Sequence, residues 1–300
     1  MSISHPFAVF GVSGRTGSAT ANTLLQSGKP VRVILRDPSK GREWADRGAG
    51  VAVADLIDVE ATTRALENVR GAYIVSPPNY SREDLFERAA AVADITARAV
   101  VAAAVPKVVA LSSVGADRAS GIGWIAMNRM LEDRLTRSGV PTTFLRAVYF
   151  MENWAPLVDE AVRKGVLPSF LTPADRAIDM VATVDIGQAA ATFLQEEWSG
   201  IRPVGIAGPD SYSPQDVARI IASTVGRPIE VATLPEKAWS AATSAANFSK
   251  ASLAGFSEMT RGLNSGHIDL GSDPNASRWA GATSLEKVIA ALTRAHQSPH

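Results

Sequence analysis

No cysteine occurs among the 300 residues, which excludes disulfides and thiolate-held metal. Histidine is nearly as scarce. His5, His267, His296 and His300 are the four, two of them in the last few positions, so neither a histidine metal cluster nor an H-E-x-x-H helix is available. Net charge is also missing: 30 basic and 30 acidic side chains are interspersed rather than in runs, and no basic stripe offers itself to nucleic acid. Long apolar runs are absent. The most apolar stretch, residues 89–106, carries Asp94 and Arg98 at i,i+4 spacing and reads as a buried Ala-rich helix rather than a membrane span. No charged and then apolar leader precedes the first strand at Phe7, so a secretory signal is not expected. A Walker lysine is lacking, and Ser13 stands in Gly-x-Ser-Gly rather than the Gly-x-Ser-x-Gly of a hydrolase elbow. The expectation is a cytoplasmic protein with a small-molecule ligand, no metal, no nucleic acid and no membrane.

What the chain does contain starts at its first apolar run. Phe7-Ala8-Val9-Phe10 reads as a strand and leads directly into Gly11-Val12-Ser13-Gly14-Arg15-Thr16-Gly17, then into a helical pattern from Ser18. Three glycines at such a strand-to-helix turn form a dinucleotide-binding fingerprint, here spaced G-x-x-G-x-x-G rather than G-x-G-x-x-G. Gly11 lets the chain turn off the strand, Gly14 lets backbone approach a pyrophosphate without a Cβ in the way, and Gly17 lets the helix pack on the strand. The helix N-terminus then turns its N–H groups to the phosphates, which makes Ser13, Arg15 and Thr16 contact candidates beside the glycines.

The βα rhythm continues. Strands are predicted at 31–35, 51–53, 72–75, 107–111 and 142–145, separated by helices at 39–47, 59–68, 82–104 and roughly 124–137. Such alternation implies an α/β fold, a doubly wound parallel (Rossmann) sheet covered by helices on both faces. After Arg146, prolines at 156, 168, 173, 203, 209, 214, 228 and 235 break the chain into shorter elements, with helices near 185–195, 214–225 and 285–295 and a strand at 203–206. Residues 1–150 are therefore expected to bind the dinucleotide, and residues 151–300 to form a smaller substrate-binding cap partly interleaved with them. Open α/β sheets bind ligands outside the carboxyl ends of their strands, so a cap over that edge closes a pocket.

Arg36 ends the second strand about 20 residues after the glycines, where an NAD enzyme places an acid on the ribose and an NADP enzyme an arginine on the 2′-phosphate. A guanidinium pairs bidentately with phosphate, and Lys40 and Arg15 can join it, so NADP(H) is preferred over NAD(H). The neighbouring Asp37 is the rival, unless it caps the next helix or faces solvent. At the ends of later strands, Ser112 first and then Ser76 are the candidates for the nicotinamide half of the cofactor; the alternative is that these polar residues only end buried strands.

The order Gly11-Val-Ser-Gly-Arg-Thr-Gly17, Leu35-Arg-Asp-Pro-Ser-Lys40, Ala54-Asp55-Leu56 and Val140-Pro-Thr-Thr-Phe-Leu-Arg146 followed by Phe150-Met-Glu-Asn153 resembles the NmrA-like group of atypical short-chain dehydrogenase/reductases. That group includes triphenylmethane-dye reductases and a class of NADPH quinone reductases. The resemblance implies that Asp55 meets the adenine edge; the alternative for that residue is an Asx-turn. Typical short-chain dehydrogenases reduce carbonyls with a Tyr-x-x-x-Lys pair on one helical face. This chain departs from them, since no lysine has a tyrosine four residues before it. Where the pair would stand there are Trp124 and Asn128, and an asparagine amide orients an oxygen without being a proton donor.

A quinone, imine or cationic dye accepts hydride into a delocalised system, so stacking and orientation can supply much of the catalysis without an acid. Trp124, Asn128 and Tyr149 are the candidates for orienting such a conjugated substrate. Tyr80, Trp124, Tyr149, Phe150, Asn153 and Trp154 are the candidates for lining its pocket; core packing is the alternative for each aromatic. Two functional classes follow: an NADP(H)-dependent oxidoreductase acting on a conjugated acceptor, or a non-catalytic NADP(H)-binding redox sensor that regulates a protein partner.

Overall fold

The computed structural model describes residues 5–272 and 277–297, so His300 lies outside the described residues. Its first half alternates strand and helix: β1 (Phe7–Phe10), α1 (Arg15–Gln26), β2 (Val31–Leu35), α2 (Gly41–Asp46), β3 (Gly50–Val53), α3 (Val59–Leu66), β4 (Gly71–Ile74), α4 (Leu85–Ala102), β5 (Val108–Ser113), α5 (Ile125–Ser138) and β6 (Thr142–Ala147). The second half contains β7 (Tyr149–Phe150), α6 (Ala155–Lys164), β8 (Val166–Ser169), β9 (Ile178–Val181), α7 (Thr183–Gln195), β10 (Ile201–Ala207), β11 (Ser211–Tyr212), α8 (Pro214–Val225), β12 (Glu230–Thr233), α9 (Glu236–Ala242), α10 (Lys250–Ser265), β13 (Ser277–Ala280) and α11 (Leu285–Gln297).

One parallel sheet of eight strands runs β13-β10-β6-β5-β4-β1-β2-β3, the doubly wound arrangement expected from the alternation. Alternating side chains divide its core. Phe7, Val9, Val33, Tyr73, Val109 and Leu145 face the layer that contains α1 and α7, whereas Ala8, Ile34, Ala72, Ile74, Val108, Ala110 and Phe144 face the layer that contains α3, α4 and α5. The order reverses between β1 and β4, whose registers share Phe7 (Phe7↔Val31 and Phe7↔Gly71), and this reversal opens a crevice at the carboxyl ends of both strands.

The second half does not stand apart. β10 extends the sheet beside β6, β13 extends it again, and α7 packs on α1 so tightly that a Cβ on Gly187 would come within 2.3 Å of Ala19 Cβ. The remaining pieces build a cap with its own core around Met151, Trp154, Leu167, Met180 and Ile221, carried by the pairs β8–β12, β9–β11 and β7–β9. Two carboxylates fasten cap to sheet. Glu152 accepts the Thr183 N–H and hydroxyl at the start of α7, and Asp185, 1% exposed, accepts the N–H and hydroxyl of Thr283.

Several boundaries differ from the sequence expectation. The helix read at 39–47 is a 3-10 turn over Pro38–Lys40 followed by α2, because the Asp37 carboxylate caps the proline-led turn by accepting the Ser39 N–H at 2.9 Å. The helix read from Arg82 begins at Leu85, since Ser249 Oγ and the N–H groups of Lys250 and Ala251 bind Arg82 O and the Glu83 carboxylate. Asp94 pairs across to Arg134 of α5 rather than along its own helix to Arg98. The 16-residue helix α10 falls where no helix was expected.

Candidate functional site

The three glycines after β1 are required for different reasons. Gly11 has φ +70, and a Cβ there would lie 2.2 Å from Val75 Cγ1, so the turn sits against the chain leaving β4. A Cβ on Gly17 would lie 2.4 Å from the Gly11 carbonyl and 2.6 Å from that of Phe10, which only glycine avoids as α1 crosses β1. Gly14 differs. Its φ of −102 suits any residue, and its Cβ would meet only Gly11 O, at 3.3 Å. The fold therefore has little need of glycine at 14, whereas a pyrophosphate brought against this backbone does. Gly14 is the N-cap of α1, no side chain caps the helix, and its first turn holds no acid, so the free N–H groups there suit an anion.

Positive charge stands beside this turn. The guanidinium groups of Arg15 and Arg36 are exposed and make no ion pair or hydrogen bond among the described residues. Lys40 is exposed at the end of the 3-10 turn that follows Arg36. The rival Asp37 is engaged by the turn: its Oδ1 accepts both the Ser39 hydroxyl (2.7 Å) and N–H (2.9 Å), which hold its pKa below the ordinary carboxylate range. Arg36 and Lys40 place two exposed cations in this segment, and NADP(H) fits the residues present. Thr16 is buried beside the Tyr73 hydroxyl, while Ser13 is exposed in the turn. Asp55 closes an Asx-turn, Oδ1 accepting the Ile57 N–H at 3.3 Å.

The serines at the strand ends part company. Ser76 is half-buried just beyond β4 and makes no hydrogen bond among the described residues. Ser112 is 3% exposed, and its hydroxyl donates to Glu132 Oε1 at 2.5 Å, a carboxylate that also takes a two-pronged contact from Arg146 at 2.7 and 3.0 Å. Strand alternation turns Ser112 into the α5 layer and Ser113 to the other face, so the Ser112 hydroxyl is spent on a buried ionic network.

The aromatic candidates form two groups rather than one. Trp124, the N-cap of α5, stacks on Tyr80 at 4.0 Å and 29° and meets Phe248 edge-on at 5.1 Å and Phe256 at 5.3 Å. Phe256 continues the chain of rings to Phe170 and Trp239. The indole N–H of Trp124 donates to the Ser252 carbonyl at 2.8 Å, which fixes the ring. Asn128 lies one turn further along α5, half-buried, with no hydrogen bond to its amide among the described residues. Tyr149 and Trp154 lie 6.2 Å apart in or against the cap core, Trp154 only 1% exposed. Asn153 beside the Tyr149 hydroxyl is exposed, and Phe150 packs on the core under α7.

Sequence reasoning missed Phe248 and Phe256, because they lie in or just before α10, whose Gly255 and Gly262 look like helix breakers. Both glycines allow close approach instead. A Cβ on Gly255 would lie 2.7 Å from Trp124 Cδ1, one on Gly262 would lie 2.7 Å from Gly121 O, and Gly123 (φ +49) faces the Gly255 carbonyl at a would-be 1.9 Å. α10 is thereby pressed onto the loop before α5, and the wall around Trp124 is built without a ligand. Among the described residues no helix is long and apolar enough to cross a membrane, and no group of three or more His, Asp or Glu side chains could hold a metal.

The NmrA-like family model matches residues 5–270, and the chain belongs to that family. Among curated proteins it is similar to a (4-alkanoyl-5-oxo-2,5-dihydrofuran-3-yl)methyl phosphate reductase of Streptomyces griseus, 29% identical over 227 residues that make up 74% of each chain. It is also similar to quinone oxidoreductase 2 of Escherichia coli, 26% identical over 78% of this chain and 80% of that one. Among solved structures, the Escherichia coli NADPH-dependent quinone oxidoreductase complexed with NADPH superposes with a TM-score of 0.79 at 22% identity, covering 96% of this chain and 99% of the other. The Citrobacter sp. triphenylmethane reductase complexed with NADP(H) gives 0.79 at 18% identity over the same shares.

Proposed function

We propose that this member of the NmrA-like family is an NADPH-dependent reductase that transfers hydride to a conjugated acceptor such as a quinone, an imine or a dye-like ring. The observation that carries the reading is the first βα turn: Gly14 has little need to be glycine for the fold, and it stands before an uncapped helix with unpaired Arg15 and Arg36 nearby while Asp37 is tied to Ser39. Curated relatives named as a reductase and a quinone oxidoreductase, and structural neighbours solved with NADPH or NADP(H), support it.

When bound, the cofactor supplies the hydride. The chain does the rest by position. Gly11 and Gly14 let the backbone approach the pyrophosphate, Gly17 holds α1 in line, and the N–H groups following Ser13 donate to its oxygens. Arg36, with Lys40 and Arg15, takes the 2′-phosphate, Asp55 borders the adenine and Ser76 the nicotinamide end. Trp124 and Tyr80 offer an aromatic wall at the carboxyl edge, and the Asn128 amide orients an acceptor oxygen. Tyr149, Phe150, Asn153 and Trp154 act further out, chiefly by holding the cap.

Without a Tyr/Lys pair, acceptors whose products delocalise the incoming charge are reduced and simple ketones are not, because general acid assistance worth about 10²–10⁴-fold is missing. NADPH oxidation measured with a panel of quinones, conjugated imines, cationic dyes and simple ketones tests this. Turnover of the first three classes alone is the expected result. Efficient, pH-titrating ketone turnover overturns the mechanism, and tight NADPH binding with no turnover of any acceptor supports the redox-sensor reading instead.

A further inference from the structure

We infer that Tyr80 donates a hydrogen bond from its hydroxyl to the oxygen of a planar acceptor, which makes it a substrate-contacting residue selective for oxygen-bearing rings. The inference rests on the reductase reading above.

Four tyrosines are present; one is sealed from any ligand and two have partners at their hydroxyls. Tyr73 is sealed in the middle of β4 beneath α1, with no exposed surface. Tyr149 packs against the cap core with Asn153 at its hydroxyl, and Tyr212 accepts the Leu285 N–H at 3.2 Å. Tyr80 differs in both place and partnership. It follows β4 at the carboxyl edge of the sheet, four residues beyond Ser76, and its hydroxyl makes no hydrogen bond among the described residues. Its ring, by contrast, is fully placed: it stacks on Trp124 at 4.0 Å, meets Phe248 at 5.6 Å, and its carbonyl accepts the Ser249 N–H at 2.9 Å. Tyr80 is only half-buried and its hydroxyl, unlike the enclosed one of Tyr73, is not sealed among protein atoms, so it is open to a ligand lying against the same aromatic wall.

Burial pushes the Tyr80 pKa up to about 12, so the hydroxyl remains a neutral donor throughout the working range. It is suited to hydrogen-bonding an oxygen that gains negative charge as hydride arrives, with solvent water completing protonation of the product. A cationic ring without oxygen has nothing to accept that bond.

Tyr80→Phe keeps the stack and removes only the hydroxyl. Wild type and Y80F are titrated with 4-nitrophenolate and with nitrobenzene, followed by tryptophan fluorescence quenching, and NADPH affinity is measured separately on both. A hydrogen bond to a charged oxygen corresponds to about a tenfold to hundredfold weakening of the phenolate in Y80F, with nitrobenzene and NADPH unchanged. In steady state, the variant loses kcat/KM on a quinone and keeps it on a cationic dye. Equal phenolate affinity in both proteins overturns the inference, as does a wild type that binds neither probe. Failure of the reductase reading shows differently, as wild type that oxidises no NADPH with any acceptor yet still discriminates the two probes through Tyr80.

Discussion

The glycine turn after β1 and the aromatic wall beneath α10 both depend on missing Cβ atoms, but in different ways. In the turn, a Cβ on Gly14 would meet only one carbonyl, at 3.3 Å, and the glycine there answers to the proposed nucleotide more than to the fold. Under α10, glycine serves the fold: Gly123, Gly255 and Gly262 would each bring a Cβ to 2.7 Å or closer to protein atoms. The first region is made of backbone from one short segment, and its counter-charges from the next strand. The second gathers Tyr80, Trp124 and Phe256 from three distant segments by side-chain contact. One substitution in each region should therefore separate binding from folding.

The largest effect is expected at Gly14. Gly14→Val weakens NADPH by more than about 100-fold, about 2.7 kcal/mol, with the thermal midpoint nearly unchanged; calorimetric titration beside a melting curve reads both. Gly17→Ala does the opposite, losing stability because its Cβ meets two backbone carbonyls. If Gly14→Val unfolds the protein as readily as Gly17→Ala, the distinction between ligand glycine and fold glycine fails.

Gly123→Ala probes the other region. The forced contact with the Gly255 carbonyl and the positive φ cost about 1–3 kcal/mol in urea denaturation, with Trp124 fluorescence altered and NADPH affinity retained. Loss of NADPH affinity would show that the two regions are one unit.

Arg36→Ala tests charge rather than shape. A charge-assisted contact worth about 1.5–3 kcal/mol is lost for NADPH and not for NADH, so the preference between them narrows by about tenfold to hundredfold. Equal wild-type affinity for both cofactors removes the argument.

The smallest effect belongs to the cap. The Asp216 carboxylate, bonded to Arg219 and to the Ser213 N–H and hydroxyl in the capping box of α8, has its pKa lowered to about 2. A folded pKa below the unfolded one means stabilisation that is complete above about pH 4 and lost as the pH falls toward 2. Unfolding midpoints of wild type and Asp216→Asn should differ near neutrality and converge at acid pH, without any change in NADPH binding.

The sequence by itself determined the first six strands of the sheet and the glycine turn. Strands β1 to β6, the position of Gly11, Gly14 and Gly17, and Arg36 at the end of β2 were legible because each rests on local rules: alternation, a strand-to-helix glycine turn and a fixed offset between neighbouring strands. Tertiary structure alone decided what surrounds Trp124. α10 was illegible because Gly255 and Gly262 signal weak helix in isolation and become favourable only when the Gly121–Gly123 loop lies against them. Likewise the Ser112 hydroxyl could be assigned to Glu132 and Arg146 only once α5 and β6 were brought together, since a side chain's partner depends on contacts between distant segments that no local pattern encodes.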